Sequence, residues 1–182
     1  LPALTNGYIT CGSFNNFAKM NERVLKLWAN VLNAVERSRL MLLAEADSQR
    51  AWVLEVLQRE GIAADRVSFV GRQPLAKYME LYRQVDIGLD TLPYCGHTTT
   101  LDALWMGVPV VTLVGENVVG RAGLSQLTNL GLTELIAHDE RQYARIVADL
   151  AQDLPRLSGL RQSLRQRMQR SPLMDAPRFA RG

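Results

Sequence analysis

Between Leu89 and Leu113 the chain reads LDTLPYCGHTTTLDALWMGVPVVTL, and its chemistry gathers in Gly96-His97-Thr98-Thr99-Thr100, followed by Asp102. A flexible glycine, an imidazole and three hydroxyls stand where an apolar helical pattern begins. The first turn of a helix carries free backbone N–H groups and a partial positive charge, so it suits a phosphate. A plainer use of the same residues is a capping box, Thr99-x-x-Asp102, in which threonine and acid satisfy each other's backbone N–H groups. Helix starts with Thr and Asp are common, so spacing alone favours the plain cap. His97 has no duty in a cap and points the other way.

The elements around this stretch must hold it in place. Ile87-Gly88-Leu89-Asp90 reads as a short apolar strand ending in an acid, and Pro93 and Gly96 lie in the loop that follows. Gly107 and Pro109 stop the helix ahead of a second strand, Val110 to Leu113. Upstream, Tyr8 to Gly12 is a first strand, Asn21 an N-cap, and Glu22 to Val35 a helix with Val24, Leu25, Leu27, Trp28, Val31, Leu32 and Val35 at helical spacing. Leu40 to Leu43 and Val67 to Val70 are short apolar strands. Between them Asp47 and Ser48 offer caps for a helix that stops at Gly61. A helix starts at Pro74 and carries Tyr78 and Tyr82. Downstream come a helix from Leu124 to Leu130 closed by Gly131, a strand at Leu135 to Ala137, and a helix from Asp139 to Leu150.

This alternation predicts an α/β fold, a doubly wound parallel sheet with helices on both faces. Residues 1–154 form the domain, and residues 155–182 an appended helix and tail. In such a sheet ligands collect at the carboxyl ends of the strands. Three loops are expected there: Ser13 to Met20, Gly71 to Tyr78, and Asp90 to Asp102. The first brings a cation, Lys19, for which sequence alone favours a solvated surface lysine.

Bulk properties exclude several classes. At 182 residues, 47% hydrophobic and 21% charged, the chain has the composition of one globular domain. A net charge of +3 does not argue for nucleic acid. No apolar run approaches the roughly 20 residues of a membrane span, and no signal-peptide pattern is visible. Cys11 and Cys95 are isolated thiols without metal spacing, which suits a reducing cytoplasm. Seven arginines fall between Arg156 and Arg181. Leu157, Leu160, Leu164 and Met168 recur among them at helical spacing, so an amphipathic helix with a solvated basic face is preferred over an RNA-binding arm.

GHTTTLDALWMGVPVVTLVG resembles the donor-binding segment of the protein O-GlcNAc transferases, GT-B glycosyltransferases that attach N-acetylglucosamine to Ser and Thr. The resemblance continues in GSFNNFAKMN, RVSFVGRQPLAKYMELYRQVDIGLDTLPY, GLSQLTNLGLTELIA and SPLMDAPRFA, covering nearly the whole chain in the right order. Bacterial members resemble it most. It implies the C-terminal, nucleotide-sugar-binding lobe of a Rossmann-like GT-B enzyme, without the tetratricopeptide repeats and N-terminal catalytic lobe of those proteins.

The resemblance also implies roles. Asn16 and Lys19 match a polar amide and a diphosphate-contacting lysine, although some relatives have the longer Gln where this chain has Asn16. His97, Thr98 and Thr99 match the diphosphate-binding run, and Asp102 the acid that accepts from ribose hydroxyls. The uracil is expected at backbone groups near Arg72 and Gln73 and at the ring of Tyr78, which could equally be core packing. No Asp-x-Asp pair or ligand cluster is visible, so a metal-free solution without cofactor is expected. Lys19 would then stabilise the leaving diphosphate together with His97, Thr98, Thr99 and the helix dipole. The implied partners are a UDP-sugar, a protein acceptor and the lobe and repeats of the parent chain, in the cytoplasm, with no nucleic acid and no membrane. Two other readings stay open: a relative using another sugar or acceptor, and a nucleotide-binding scaffold that has lost catalysis.

Overall fold

The apolar runs pair into one six-stranded parallel sheet in a computed structural model that describes residues 1–181. The strands are β1 (Thr10–Ser13), β2 (Arg39–Leu43), β3 (Val67–Val70), β4 (Ile87–Leu89), β5 (Val110–Leu113) and β6 (Ile136–Ala137). The helices are α1 (Pro2–Asn6), α2 (Glu22–Ala34), α3 (Asp47–Arg59), α4 (Leu75–Leu81), α5 (Thr98–Trp105), α6 (Ala122–Asn129), α7 (Glu140–Gln152) and α8 (Leu154–Gln169), followed by a last short turn of helix, Ala176–Phe179. Every residue of β1, β4 and β5 is buried, as expected where helices cover both faces. The last residue of the expected tail, Gly182, lies outside the described residues.

Strand order is β3-β2-β1-β4-β5-β6. The chain winds outward from β1 in one direction, then returns and winds outward from β4 in the other. The reversal falls between β1 and β4, which pair with Cys11 opposite Ile87 and Gly12 opposite Gly88. Loops leaving these two strands diverge to opposite faces and leave a crevice between them, the ligand position of doubly wound sheets.

Local sequence accounts for most boundaries. Asn21 accepts a hydrogen bond from the Val24 N–H at 3.0 Å and starts α2, whose apolar stripe is buried as predicted. Asp139 does the same for α7 through the Gln142 N–H at 2.7 Å. Gly107 and Gly131 sit at φ 82° and 65° past the ends of α5 and α6, in the left-handed region that glycine favours. Two caps differ from expectation. Helix α3 starts from Ala46 instead of Asp47 or Ser48, because Gln49 Oε1 reaches back to accept from the Glu45 and Ala46 N–H groups at 3.0 and 3.2 Å. The Thr99–Asp102 capping box does not form: α5 begins at Thr98, with His97 at the cap position and no side-chain cap.

Helix α8 buries Leu157, Leu160, Leu164 and Met168. Its basic face is less solvated than predicted. Arg161 donates to the Val85 and Tyr82 carbonyls at 2.6 and 2.9 Å, and Arg165 to the Trp105 carbonyl at 2.9 Å. Tyr82 and Val85 end α4 and the 3-10 turn after it, and Trp105 ends α5, so the arginines dock α8 onto the ends of these helical elements. Among the described residues no helix is long and apolar enough to cross a membrane.

Candidate functional site

The loop after β1 turns at once. Phe14 and Asn15 are buried, and a 3-10 turn, Phe17–Lys19, is capped by Asn16, whose Oδ1 accepts from the Ala18 N–H at 2.9 Å. That turn throws Lys19 across the crevice. Its ammonium donates to the Cys95 carbonyl at 2.8 Å and toward Asn15 Oδ1 at 3.4 Å, and lies 4.5 Å from the Tyr94 ring centroid. Asn21 adds a second tie from its Nδ2 to the Leu92 carbonyl at 2.5 Å.

The loop after β4 is built on Asp90, only 2% exposed. Its Oδ1 accepts from the Thr91 and Gly96 N–H groups at 2.9 and 2.7 Å, and Oδ2 accepts from the Thr112 hydroxyl at 2.7 Å. This carboxylate folds residues 90–96 into a turn that delivers the chain to the start of α5. Gly96 is required there by space: a Cβ would lie 2.3 Å from Thr100 Oγ1 and 2.9 Å from Thr99 Oγ1. Helix α5 then opens toward the crevice. The Leu101 N–H donates to the His97 carbonyl at 3.1 Å and closes its first turn. The N–H groups of Thr98, Thr99 and Thr100 precede that bond, and among the described residues no side chain caps them.

Asn15 joins the two loops. Its Oδ1 accepts from the Thr99 hydroxyl at 2.7 Å as well as facing Lys19. On the opposite wall the Tyr78 hydroxyl donates toward Asp102 Oδ2 at 3.1 Å and touches the Tyr82 hydroxyl at 2.6 Å. Next to Tyr78 opens a cavity of about 460 Å³, lined by Phe14, Asn16, Leu43, Arg72, Gln73 and Thr99 among others. Apolar walls from Phe14, Phe17, Leu43 and Leu75 face polar groups from Asn16, Glu45, Gln49, Arg72 and Gln73, a mixed lining that suits a small flat ligand with hydrogen-bonding edges.

Electrostatics favour an anion at the Lys19 end. Partial burial lowers the Lys19 pKa, while the Asp90 carboxylate and Cys95 oppose that shift. Among the described residues no carboxylate lies within ion-pair distance of Lys19. Burial raises the Asp102 carboxyl above the usual range, with the Tyr78 hydrogen bond opposing. Burial also lifts the Cys95 thiol to about 11, which leaves it protonated and unreactive at neutral pH. Among the described residues no group of three or more His, Cys, Asp or Glu could hold a metal ion.

The fold thus gathers Asn16, Lys19, Arg72, Gln73, Tyr78, His97, Thr98, Thr99 and Asp102 around one crevice. Two of them also have partners within the fold. The Asn16 oxygen is spent on its own turn, and Tyr78 turns its hydroxyl to Asp102 while its ring packs edge-on against Phe14 at 6.3 Å. His97 is exposed and rests edge-on against Tyr94, with centroids 5.9 Å apart. Sequence reasoning passed over Asn15, Asp90, Tyr82 and Tyr94 as site residues. Asp90 carried a readable signal, an acid closing a buried strand. The other three depend on contacts across the crevice.

A doubly wound parallel sheet with a lysine, an uncapped helix start and a carboxylate at its switch point defines an α/β domain of the crevice-binding class. Residues 3–182 match Glycosyl transferase family 41, and the chain belongs to that family. It is 44% identical over 188 residues to an Arabidopsis thaliana protein named probable UDP-N-acetylglucosamine–peptide N-acetylglucosaminyltransferase SPINDLY, covering 100% of this chain and 20% of that protein. The tomato (Solanum lycopersicum) protein of the same name is 43% identical over 187 residues, 99% of this chain and 20% of its own length. A lysine-to-methionine mutant of Thermobaculum terrenum O-GlcNAc transferase superposes with a TM-score of 0.88 at 36% identity, over 96% of this chain and 34% of that one. Anabaena HepE in complex with UDP and glucose shares the fold, with a TM-score of 0.67 at 14% identity over 98% of this chain and 50% of that one. The chain spans about a fifth of the length of the curated relatives it matches.

Proposed function

We propose that this chain is the UDP-GlcNAc-binding lobe of an inverting GT-B glycosyltransferase that transfers N-acetylglucosamine to Ser or Thr of proteins. One observation carries the reading: Lys19 and the open N-terminus of α5 converge at the switch point, bridged by Asn15. As the glycosidic bond to the diphosphate breaks, negative charge grows on the leaving group. The Lys19 ammonium, the Thr98 and Thr99 donors, His97 and the helix dipole are preorganised to meet it. Asp102 accepts from ribose hydroxyls, and the uracil lies in the cavity beside Arg72, Gln73 and Tyr78. Names of the curated relatives and of the Thermobaculum terrenum structure support the donor and the acceptor class.

The reading assigns residues 1–154 to nucleotide-sugar binding and 155–182 to the appended helix and tail. The general base and much of the acceptor site belong to an N-terminal lobe and repeats of a longer parent chain, so this chain alone binds UDP and transfers no sugar. The parent works in the cytoplasm without metal or other cofactor. Descent from a bacterial member is supported by the Thermobaculum terrenum superposition and opposed by the higher identity to the plant proteins. Calorimetric titration with UDP, UDP-GlcNAc, UDP-glucose and GDP-fucose tests the donor. Binding of UDP and a preference for UDP-GlcNAc, both unchanged by EDTA, are expected. Absence of UDP binding overturns the site, and a large gain with magnesium or manganese overturns its metal-free part.

A further inference from the structure

Tyr82 is 4% exposed, yet its hydroxyl lies 2.6 Å from that of Tyr78 and 3.1 Å from the Thr99 carbonyl oxygen. The Tyr78 hydroxyl is in turn 3.1 Å from Asp102 Oδ2. Three polar contacts therefore run in series from Thr99 to Asp102, and two phenols supply only two hydrogens. A carbonyl and an ionised carboxylate can only accept. For an ionised Asp102 to be held, Tyr78 must donate to it and Tyr82 must donate to Tyr78. If Tyr82 donates to Thr99 instead, the 2.6 Å contact between the hydroxyls has a hydrogen only when Tyr78 supplies it, which takes the donor away from Asp102. The direction of the Tyr82 hydroxyl thus decides whether Asp102 is fixed.

The surroundings hold Tyr82 where it can play this part. Its ring packs edge-on against Phe14 with centroids 4.9 Å apart, and its carbonyl accepts from Arg161 at 2.9 Å. Asp102 keeps one oxygen in reserve: among the described residues the hydrogen bond from Tyr78 falls on Oδ2 and no donor reaches Oδ1. A carboxylate tied at Oδ2 presents Oδ1 in one direction. Untied, it turns freely, because the terminal torsion of Asp is broad.

We propose that Tyr82, acting through Tyr78, is a positioning residue that aims Asp102 at the 2′,3′ diol of a ribonucleotide and so sets selectivity against 2′-deoxyribonucleotides. The proposal rests on the crevice being the UDP site argued above. A site built to pair a substrate hydroxyl rejects the analogue that lacks it, because the site's own polar group is left unpaired.

The test is calorimetric titration of this chain with UDP and with 2′-deoxy-UDP, for the wild type, Tyr82→Phe and Tyr78→Phe, with a thermal midpoint for each. Tyr82→Phe keeps the ring packed on Phe14 and removes only the hydroxyl. The wild type should prefer UDP by about tenfold or more, the scale of one charged hydrogen bond. In both variants the preference should fall to a third of the wild-type ratio or less, because UDP loses its 2′-hydroxyl contact while 2′-deoxy-UDP, which keeps only the 3′-hydroxyl, weakens less. A Tyr82→Phe ratio above that third overturns the proposal, as does equal weakening of both ligands, which would make the hydroxyl a packing group. A Tyr82→Phe chain that no longer folds assigns the hydroxyl to stability and also overturns it. Equal wild-type affinity for the two ligands defeats the proposal while leaving the UDP site standing. Binding of neither ligand defeats the UDP site and the proposal with it.

Discussion

Replacing Lys19 by Ala separates a charged contact from the neutral donors beside it. The ammonium bonds a carbonyl at 2.8 Å and faces an amide oxygen at 3.4 Å, so its charge has no anionic partner in direct contact. A diphosphate oxygen about 4 Å away would feel at most about 4 kcal/mol at an effective dielectric of 20. Partial exposure and the loss of hydration reduce this toward the roughly 1.5–3 kcal/mol of a hydrogen bond to a charged group. Lys19→Ala should therefore weaken UDP by about 10- to 150-fold at about 1.4 kcal/mol per decade. Uridine carries no phosphate and should change by less than about threefold, the residue of a lost hydrogen bond to the Cys95 carbonyl. Salt dependence of UDP binding should flatten in the variant, because the screened charge is gone. Thr98→Val keeps the backbone N–H and the helix dipole. It should cost about 0.5–1.5 kcal/mol, nearly independent of salt. Both variants are titrated with UDP and uridine at about 0.05 and 0.5 M salt, where the screening length shrinks severalfold. Equal weakening of UDP and uridine by Lys19→Ala would show the lysine acting only as a bridge between loops, and the assignment of the diphosphate to that end would be wrong.

Three further outcomes are expected. Asp102→Asn should leave the thermal midpoint near the wild-type value, since Asp102 caps no helix N–H, while UDP binding weakens about tenfold or more; a stability loss with normal affinity would remove Asp102 from the site. Gly123→Ala puts a methyl 2.2 Å from Thr112 Oγ1 and 2.9 Å from Asp90 Oδ2, so overpacking of about 1–3 kcal/mol should lower the midpoint by several degrees in a thermal melt. Burial raises the folded Asp90 carboxyl above its unfolded value, so the ionised form costs stability at neutral pH and that cost is relieved as pH falls through the folded pKa. Thermal melts from pH 7 to pH 4 should therefore show wild type gaining on Asp90→Asn as pH falls; a constant or shrinking difference would contradict the assignment.

Much of this protein follows from local sequence. Asn21 and Asp139 cap their helices through their own side chains, Gly107 and Gly131 end helices because their backbones turn left-handed, and the buried strands read as apolar runs. These features need only neighbours three or four residues away, and the alternation they produce carries the doubly wound fold. The helix-start chemistry of residues 96–102 was visible for the same reason. Tertiary structure decided which polar group meets which. Asp102 sits one turn from Thr99 and could have capped it, but Tyr78, 24 residues earlier, supplies a better-placed donor across the crevice. Asn15 and Asn16 are indistinguishable as neighbouring amides, and only the close approach of α5 buries Asn15 as the link to Thr99 and leaves Asn16 to cap its own turn. Lys19 reads as a surface lysine until strand order places the loop after β1 beside the loop after β4, 76 residues away at Cys95. A side chain's partner across a crevice is set by strand register and loop path, and neither is encoded in spacing along the chain.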